Sequence, residues 1–360
     1  MRRRSVCSLA VRYNGAMAPR PARSAGLTVA VTGPTGEIGQ AVVGALERSR
    51  EVGRILGMAR RPFDPRQRGW KKVSYRRGDV LDRAAVAELV READVVVHLA
   101  FIIIGGARES AAVNLEGSRN VFEATVGAGV GRLVYASSVA AYGFHSDNPL
   151  PLTEEVPARG SDEHYYSAQK AAVEELLEET LAGSRTAAYV LRPCIVGGPD
   201  APLLIDSLPY TQISERLPGA VQRLLAGVPI LKPVLPDPGA PFQLVHHDDV
   251  ASAMRAAVLG RGSPGAYNIA GPGQLTVREL AQELGWYSIP VPELAVDAVA
   301  EIVGKLGFLP AQAQWVAAFR EPVIMDVSRA RHELRWRAKY DALTTLRETI
   351  AAARMGRFVR

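Results

Sequence analysis

From residue 27 onward the chain alternates between short apolar runs and longer stretches in which apolar positions recur every three or four residues. The short runs, at 27–32, 52–58, 73–77, 94–100, 132–137 and 186–192, have strand length. Several lack inside–outside alternation, the pattern of a parallel sheet covered on both faces. The longer stretches, at 37–49, 82–92, 111–127 and 165–181, have helical period. This strict alternation predicts an α/β fold, a doubly wound parallel sheet with right-handed crossovers. After Pro193 the texture changes, and residues 197–241 are crowded with Gly and Pro around one short helix near 215–225. Helices return at 248–259, at 276–284, where Thr276 and Glu279 fit a capping box, and at 341–353. The expected organisation is a sheet domain over 27–193 and a smaller substrate lobe over 194–353, interleaved with the end of the sheet. A flexible extension over 1–26 and a basic tail over 354–360 flank them.

Composition narrows the classes. With 360 residues, 48% hydrophobic and 22% charged, the chain is globular and neither disordered nor collagen-like. Its longest apolar run, 95–104, is ten residues interrupted by His98, short of the roughly 20 that cross a bilayer. Two cysteines, Cys7 and Cys194, exclude a disulfide framework or a zinc ribbon and suit the reducing cytoplasm. The net charge of +6 is concentrated at the start, where residues 1–26 hold six Arg and no acid. Without them the acidic and basic residues balance, so no nucleic-acid face is expected on the body. The 1–26 segment lacks a signal-peptide core, and Met17 offers a second start before the first strand.

The candidate chemistry starts at the turn after the first strand, Thr32-Gly33-Pro34-Thr35-Gly36-Glu37-Ile38-Gly39. Glycines there let backbone amides approach a pyrophosphate, and the helix that follows turns its N-terminus to the anion. Gly33, Thr35, Gly36, Glu37, Ile38 and Gly39 are therefore expected to hold a dinucleotide on a Rossmann-type sheet. At the end of the second strand, where NAD-binding proteins usually place a carboxylate for the ribose, the chain reads Met58-Ala59-Arg60-Arg61. Arg60 and Arg61 suit a 2′-phosphate, which favours NADP over NAD; Arg60 stacked on adenine would fit NAD as well. Tyr166 and Lys170 share one helical face, one turn apart. An ammonium beside a phenol is expected to stabilise the phenolate and lower its pKa from about 10, so that it exchanges protons with a substrate hydroxyl. Ser138 follows the fifth strand, at the sheet edge where ligands of parallel α/β folds bind.

With these motifs in order, the chain resembles the extended short-chain dehydrogenases/reductases, the NAD-dependent epimerase/dehydratase family. The resemblance also rests on Gly78-Asp79-Val80, His98-Leu99-Ala100, Asn114 through Asn120, Tyr135 through Gly143 and Leu191-Arg192-Pro193. It implies that Ser138 hydrogen-bonds the reacting oxygen, that Tyr166 is the acid/base and that Lys170 also holds the nicotinamide ribose. It implies further that Asp79 and Val80 line the adenine site and that Leu99, Ala100 and Asn114 border the cofactor, with Ser137 and Pro193 beside it. Three departures bear on the substrate. Ile195 stands where sugar-nucleotide epimerases usually carry Asn, and Phe242 where they carry an Arg for the diphosphate. Val139-Ala140 replaces the Asp-Glu pair of dehydratases.

The expectation is a cytoplasmic NAD(P)-dependent reductase or dehydrogenase acting on a secondary alcohol or ketone of a small molecule. Alternatives are a nucleotide-sugar epimerase that does not consume its NAD, and, of another class, a nucleotide-sensing regulator without turnover. No nucleic-acid or membrane partner is expected, and the family often pairs subunits into homodimers. His98 reads as packing and Cys194 as a small core residue. Adjacent His246 and His247 should splay apart and hold no metal. Arg216 and Arg223, on one face of the short helix, read as solvated.

Overall fold

The computed structural model describes residues 26–103, 110–206, 208, 232–291 and 322–358. The N-terminal extension with Met17, and the helix expected near 215–225 with Arg216 and Arg223, lie outside them.

Seven parallel strands form the central sheet: β1 (Leu27–Thr32), β2 (Val52–Ala59), β3 (Val73–Arg77), β4 (Val95–His98), β5 (Arg132–Ala136), β6 (Ala187–Pro193) and, after three short strands, β10 (Gly265–Ile269). Their order is β3-β2-β1-β4-β5-β6-β10, so the chain winds outward in both directions from β1. Four helices make the first crossovers: α1 (Glu37–Glu47), α2 (Arg83–Val90), α3 (Gly117–Gly127), which continues a π-helical turn at Ala112–Glu116, and α4 (Tyr165–Leu181). One face of the sheet packs α1 and a later helix, α5 (His247–Val258), in a core that includes Val29, Val31, Leu46, Met254 and Val258. The opposite face packs α2, α3 and α4 around Ala30, Val96, Phe122, Leu133 and Leu177. Burial on both faces explains the apolar strands without alternation.

Sequence after Pro193 serves both halves. β10 completes the main sheet, while β7 (Ile195–Gly197) pairs with β9 (Leu244–His246), and β8 (Val234–Asp237) with β11 (Tyr287–Pro290). Helix α6 (Val277–Leu284) starts in the expected box, Thr276 and Glu279 capping each other. The last two helices are α7 (Ser328–His332) and α8 (Ala342–Phe358). The basic segment expected to form a tail from residue 354 instead begins inside α8. Arg354 there donates to the Leu284 carbonyl at 3.2 Å, capping the end of α6. Among the described residues no helix is long and apolar enough to cross a membrane.

Candidate active site

The turn after β1 is built so that only glycine fits at two of its positions. Gly33 has φ +73°, and a Cβ there would lie 2.8 Å from the Ala100 amide nitrogen. A Cβ on Gly39 would run into the Gly33 carbonyl oxygen. Gly36 differs, for it has ordinary dihedrals, φ −77° and ψ 171°, and an added Cβ would meet nothing nearer than the Gly33 oxygen at 3.6 Å. Gly36, at the N-cap of α1, supplies no side-chain cap to the helix. Open space beside a helix N-terminus is the shape that receives a pyrophosphate. Thr35 offers its carbonyl to Gln40 at 3.5 Å, Glu37 opens the helix, and Ile38 packs on the core below. Leu99 and Ala100 close the other side, with the Leu99 amide donating to Thr32 at 3.1 Å.

At the ends of β2 and β3, Arg60 and Arg61 are exposed and make no ion pair among the described residues. Arg77 joins them: it too is exposed and makes no ion pair among the described residues, and its Nε donates to the Arg60 carbonyl at 2.9 Å. Sequence reading missed Arg77, although the register sets it directly across from Ala59. Asp79 accepts from the Leu81 amide at 3.0 Å, and Asn120 donates to the Val80 carbonyl at 3.0 Å, which fixes the loop after β3.

Ser138 leaves the end of β5 in extended conformation, its hydroxyl accepting from the Ala140 amide at 3.2 Å, and lies near Tyr166, which with Lys170 occupies the first turns of α4. Lys170 is 3% exposed. Its ammonium donates to the Ala136 carbonyl at 2.7 Å and to the Tyr135 hydroxyl at 3.4 Å, and stands 3.6 Å from the centroid of the Phe101 ring. Phe101 also meets Tyr166 edge-on, with ring centroids 5.6 Å apart.

The expected lowering of the phenol pKa is not what this arrangement produces. Burial pushes Tyr166 up to about 12, with the nearby Ser138 hydroxyl working in the opposite direction. The ammonium is turned towards Ala136, and its own burial brings Lys170 down to about 7, with Glu174 working in the opposite direction.

Asn114 is fully buried. It accepts from the Ile102 amide at 2.8 Å, and donates to the Ile102 carbonyl at 3.0 Å and to Gln169 at 2.7 Å. It therefore pins the loop that carries Phe101 to the helix that carries Lys170. Ser137 points the other way, donating to Glu174 at 2.5 Å. Pro193 ends β6, paired with Ile269. Glu174 and Phe101 had not stood out in the sequence. Glu174 was findable at one further turn from Lys170; Phe101, in an apolar run, carried no signal.

The remaining candidates lie elsewhere. His98 is buried between Thr32 and Ser118, 2.7 and 2.9 Å away, and burial brings it down to about 3. Cys194 is buried and its thiol pushed up by that burial. His246 and His247 do not splay: the chain turns from β9 into α5 between them, and their ring centroids are 4.3 Å apart. His246 accepts from the Asp248 amide at 3.2 Å through Nδ1 and faces Glu348 at 3.1 Å through Nε2. The Nδ1 lone pair is thus spent on capping α5.

Residues 29–270 match the model of the NAD dependent epimerase/dehydratase family. Over 141 residues the chain is 33% identical to 3beta-hydroxysteroid-dehydrogenase/decarboxylase isoform 2 of Arabidopsis thaliana, a stretch covering 38% of this chain and 25% of that protein. The solved structure of WbmG from Bordetella bronchiseptica in complex with NAD and UDP matches with a TM-score of 0.67 at 21% identity, over 92% of this chain and 96% of that one. UDP-glucose 4-epimerase of Thermotoga maritima with UDP-glucose matches with a TM-score of 0.66 at 20% identity, over 92% and 99%. The two structures speak for a shared fold, and the family match spans most of the chain. The glycine turn and the residues gathered at the strand ends thus sit in a protein that belongs to the NAD-dependent epimerase/dehydratase family.

Proposed function

We propose that this protein is an NAD(P)-dependent oxidoreductase that moves hydride between the nicotinamide and a secondary alcohol or ketone of a small molecule, working as a reductase or dehydrogenase. The observation that carries the reading is the placement of Ser138, just past the end of β5, beside Tyr166 in the first turn of α4, with Lys170 one helical turn on. The bound dinucleotide supplies a hydride donor or acceptor. Gly33, Thr35, Gly36, Glu37, Ile38 and Gly39 hold its pyrophosphate. Asp79 and Val80 would lie at the adenine and Leu99, Ala100 and Pro193 along its path, while the buried Asn114 and Ser137 would hold the surrounding loop and strand end in place from within. Lys170 meets the nicotinamide ribose.

Ser138 then fixes the substrate oxygen, and Tyr166 gives it a proton or takes one. A phenol held at about 12 is protonated at neutral pH, the form that donates to an oxygen gaining negative charge as a carbonyl is reduced. Arg60, Arg61 and Arg77 gather positive charge where a 2′-phosphate would lie and support NADP(H) over NAD(H). The segments 27–193 and 194–353 divide the labour, the first holding cofactor and the second shaping the substrate cleft.

A nucleotide-sugar epimerase is the second reading, favoured by the fold shared with the Thermotoga enzyme. Against it, Phe242 is 6% exposed, bridged to Leu275 and packed in the apolar cluster of the small lobe, and Ile195 packs on that cluster. Neither side chain can bind a diphosphate. A nucleotide sensor without turnover has no need of Ser138, Tyr166 and Lys170 together. The test is to incubate the protein with reduced cofactor and a panel of ketones. Consumption of cofactor in proportion to alcohol formed supports the reductase, while conversion of a nucleotide sugar with no net cofactor change supports the epimerase.

A further inference from the structure

The face of α4 that carries Tyr166 and Lys170 continues to a third residue at the same spacing. Glu174 follows Lys170 by four positions and is 4% exposed. Two strands hold its carboxylate: from β6, Arg192 donates through Nε at 3.0 Å and through Nη2 at 2.5 Å, and from the end of β5, Ser137 donates at 2.5 Å. Arg192 is itself 1% exposed and lies 4.5 Å from the centroid of the Tyr142 ring. A buried ion pair is rarely the most stable filling for a core, since apolar residues of the same volume often do as well or better. What this pair touches gives it a different purpose. Ser137 is the chain neighbour of Ser138, and a buried ammonium such as Lys170 sheds its proton unless a negative charge stands near it.

We infer that Glu174 is a positioning residue for the proton-transfer pair: through Ser137 it fixes the strand end that presents Ser138, and it supplies the negative charge that the buried Lys170 faces one turn away. The inference rests on the oxidoreductase reading above. Among the described residues the other groups around Lys170 do not provide this charge. They are the Tyr135 hydroxyl from β5, the Phe101 ring, Tyr166 on its own helix, and His98 from β4, which is neutral because burial brings it down to about 3. Glu174 in turn faces Arg192 on β6 and Glu178 on its own helix. Among the described residues it is the group that raises the proton affinity of Lys170 against burial.

The test needs no substrate. Titration of the full chain with NADPH and with NADH, followed by cofactor fluorescence across pH, should show affinity falling as pH rises through about 7, and Lys170→Met should abolish that limb. Glu174→Gln should move the limb down by about one pH unit, which is about tenfold weaker binding at a pH above both midpoints. Glu174→Gln leaves Arg192 charged and unpaired in the core, so the double variant Glu174→Gln/Arg192→Leu is measured beside it and should shift the limb the same way. An unmoved limb in a folded variant would overturn the inference and leave the oxidoreductase reading standing. A parent protein that binds neither cofactor, or whose affinity ignores Lys170→Met, would overturn that reading itself.

Discussion

Lys170 and Ala136 are joined by a 2.7 Å hydrogen bond from the ammonium to the main-chain carbonyl, which ties the helix of Tyr166 to the strand end that leads into Ser138. The two groups assigned to proton transfer thus come from elements locked together by the residue assigned to the ribose. Cofactor binding and proton transfer share one side chain, so they should fail together in one variant and separately in another.

Tyr166→Phe should lower turnover by about 10²–10⁴-fold, the usual range for a lost general acid, with cofactor affinity nearly unchanged. Lys170→Ala should weaken both. Steady-state kinetics alongside cofactor titration separates the two, and near-normal turnover in Tyr166→Phe would remove the phenol from the mechanism.

The glycine turn makes a sharper pair. Gly36→Ala keeps allowed dihedrals and meets no close neighbour, so its melting temperature should stay near that of the parent while cofactor affinity drops, because the new methyl group fills the pyrophosphate space. Gly39→Ala should lower the melting temperature as well, its Cβ colliding with the Gly33 oxygen. Equal cofactor affinity in folded Gly36→Ala would show that the pyrophosphate lies elsewhere.

Cofactor choice is tested by titrating NADP(H) and NAD(H) at fixed ionic strength. NADP(H) should bind more tightly, and Arg60→Ala, Arg61→Ala and Arg77→Ala should each narrow the difference. If NADP(H) is preferred and none of the three matters, the preference has another cause.

Stability should fall in acid through His98. Its pKa is about 3 in the folded protein against an ordinary 6.5, so below 6.5 the unfolded chain takes up a proton that the folded one does not. The stability present above 6.5 is lost as pH falls towards 3. Melting temperatures across this range should decline less steeply for His98→Gln than for the parent protein, and parallel curves would show that His98 is not the group responsible.

The central strands were legible because burial on both faces leaves apolar runs: β1 falls where the pattern put it, and the edge strand β3, VSYRR, also falls at its expected place without such a run. The expected strand over 94–100 shortens to Val95–His98, since Leu99 and Ala100 turn away to close on Gly33. β10 was missed. Its five residues, Gly265–Ile269, include Tyr267 and Asn268 and lack an apolar run, and its place comes from pairing with β6 across more than seventy residues of chain. At the site, Tyr166 and Lys170 could be read from helical spacing, but the direction of the Lys170 ammonium could not. It depends on the Ala136 carbonyl and the Phe101 ring, which only the folded chain brings together.

The most direct measurement follows the hydride itself. The protein is supplied with reduced cofactor deuterated at the nicotinamide C4 position and with a ketone that it turns over, and the product is read by mass spectrometry. One deuterium on the new carbinol carbon, with oxidised cofactor formed in equal amount, is the predicted result. Product without deuterium from either C4-labelled epimer of the cofactor, or turnover that leaves the cofactor unoxidised, would contradict the account.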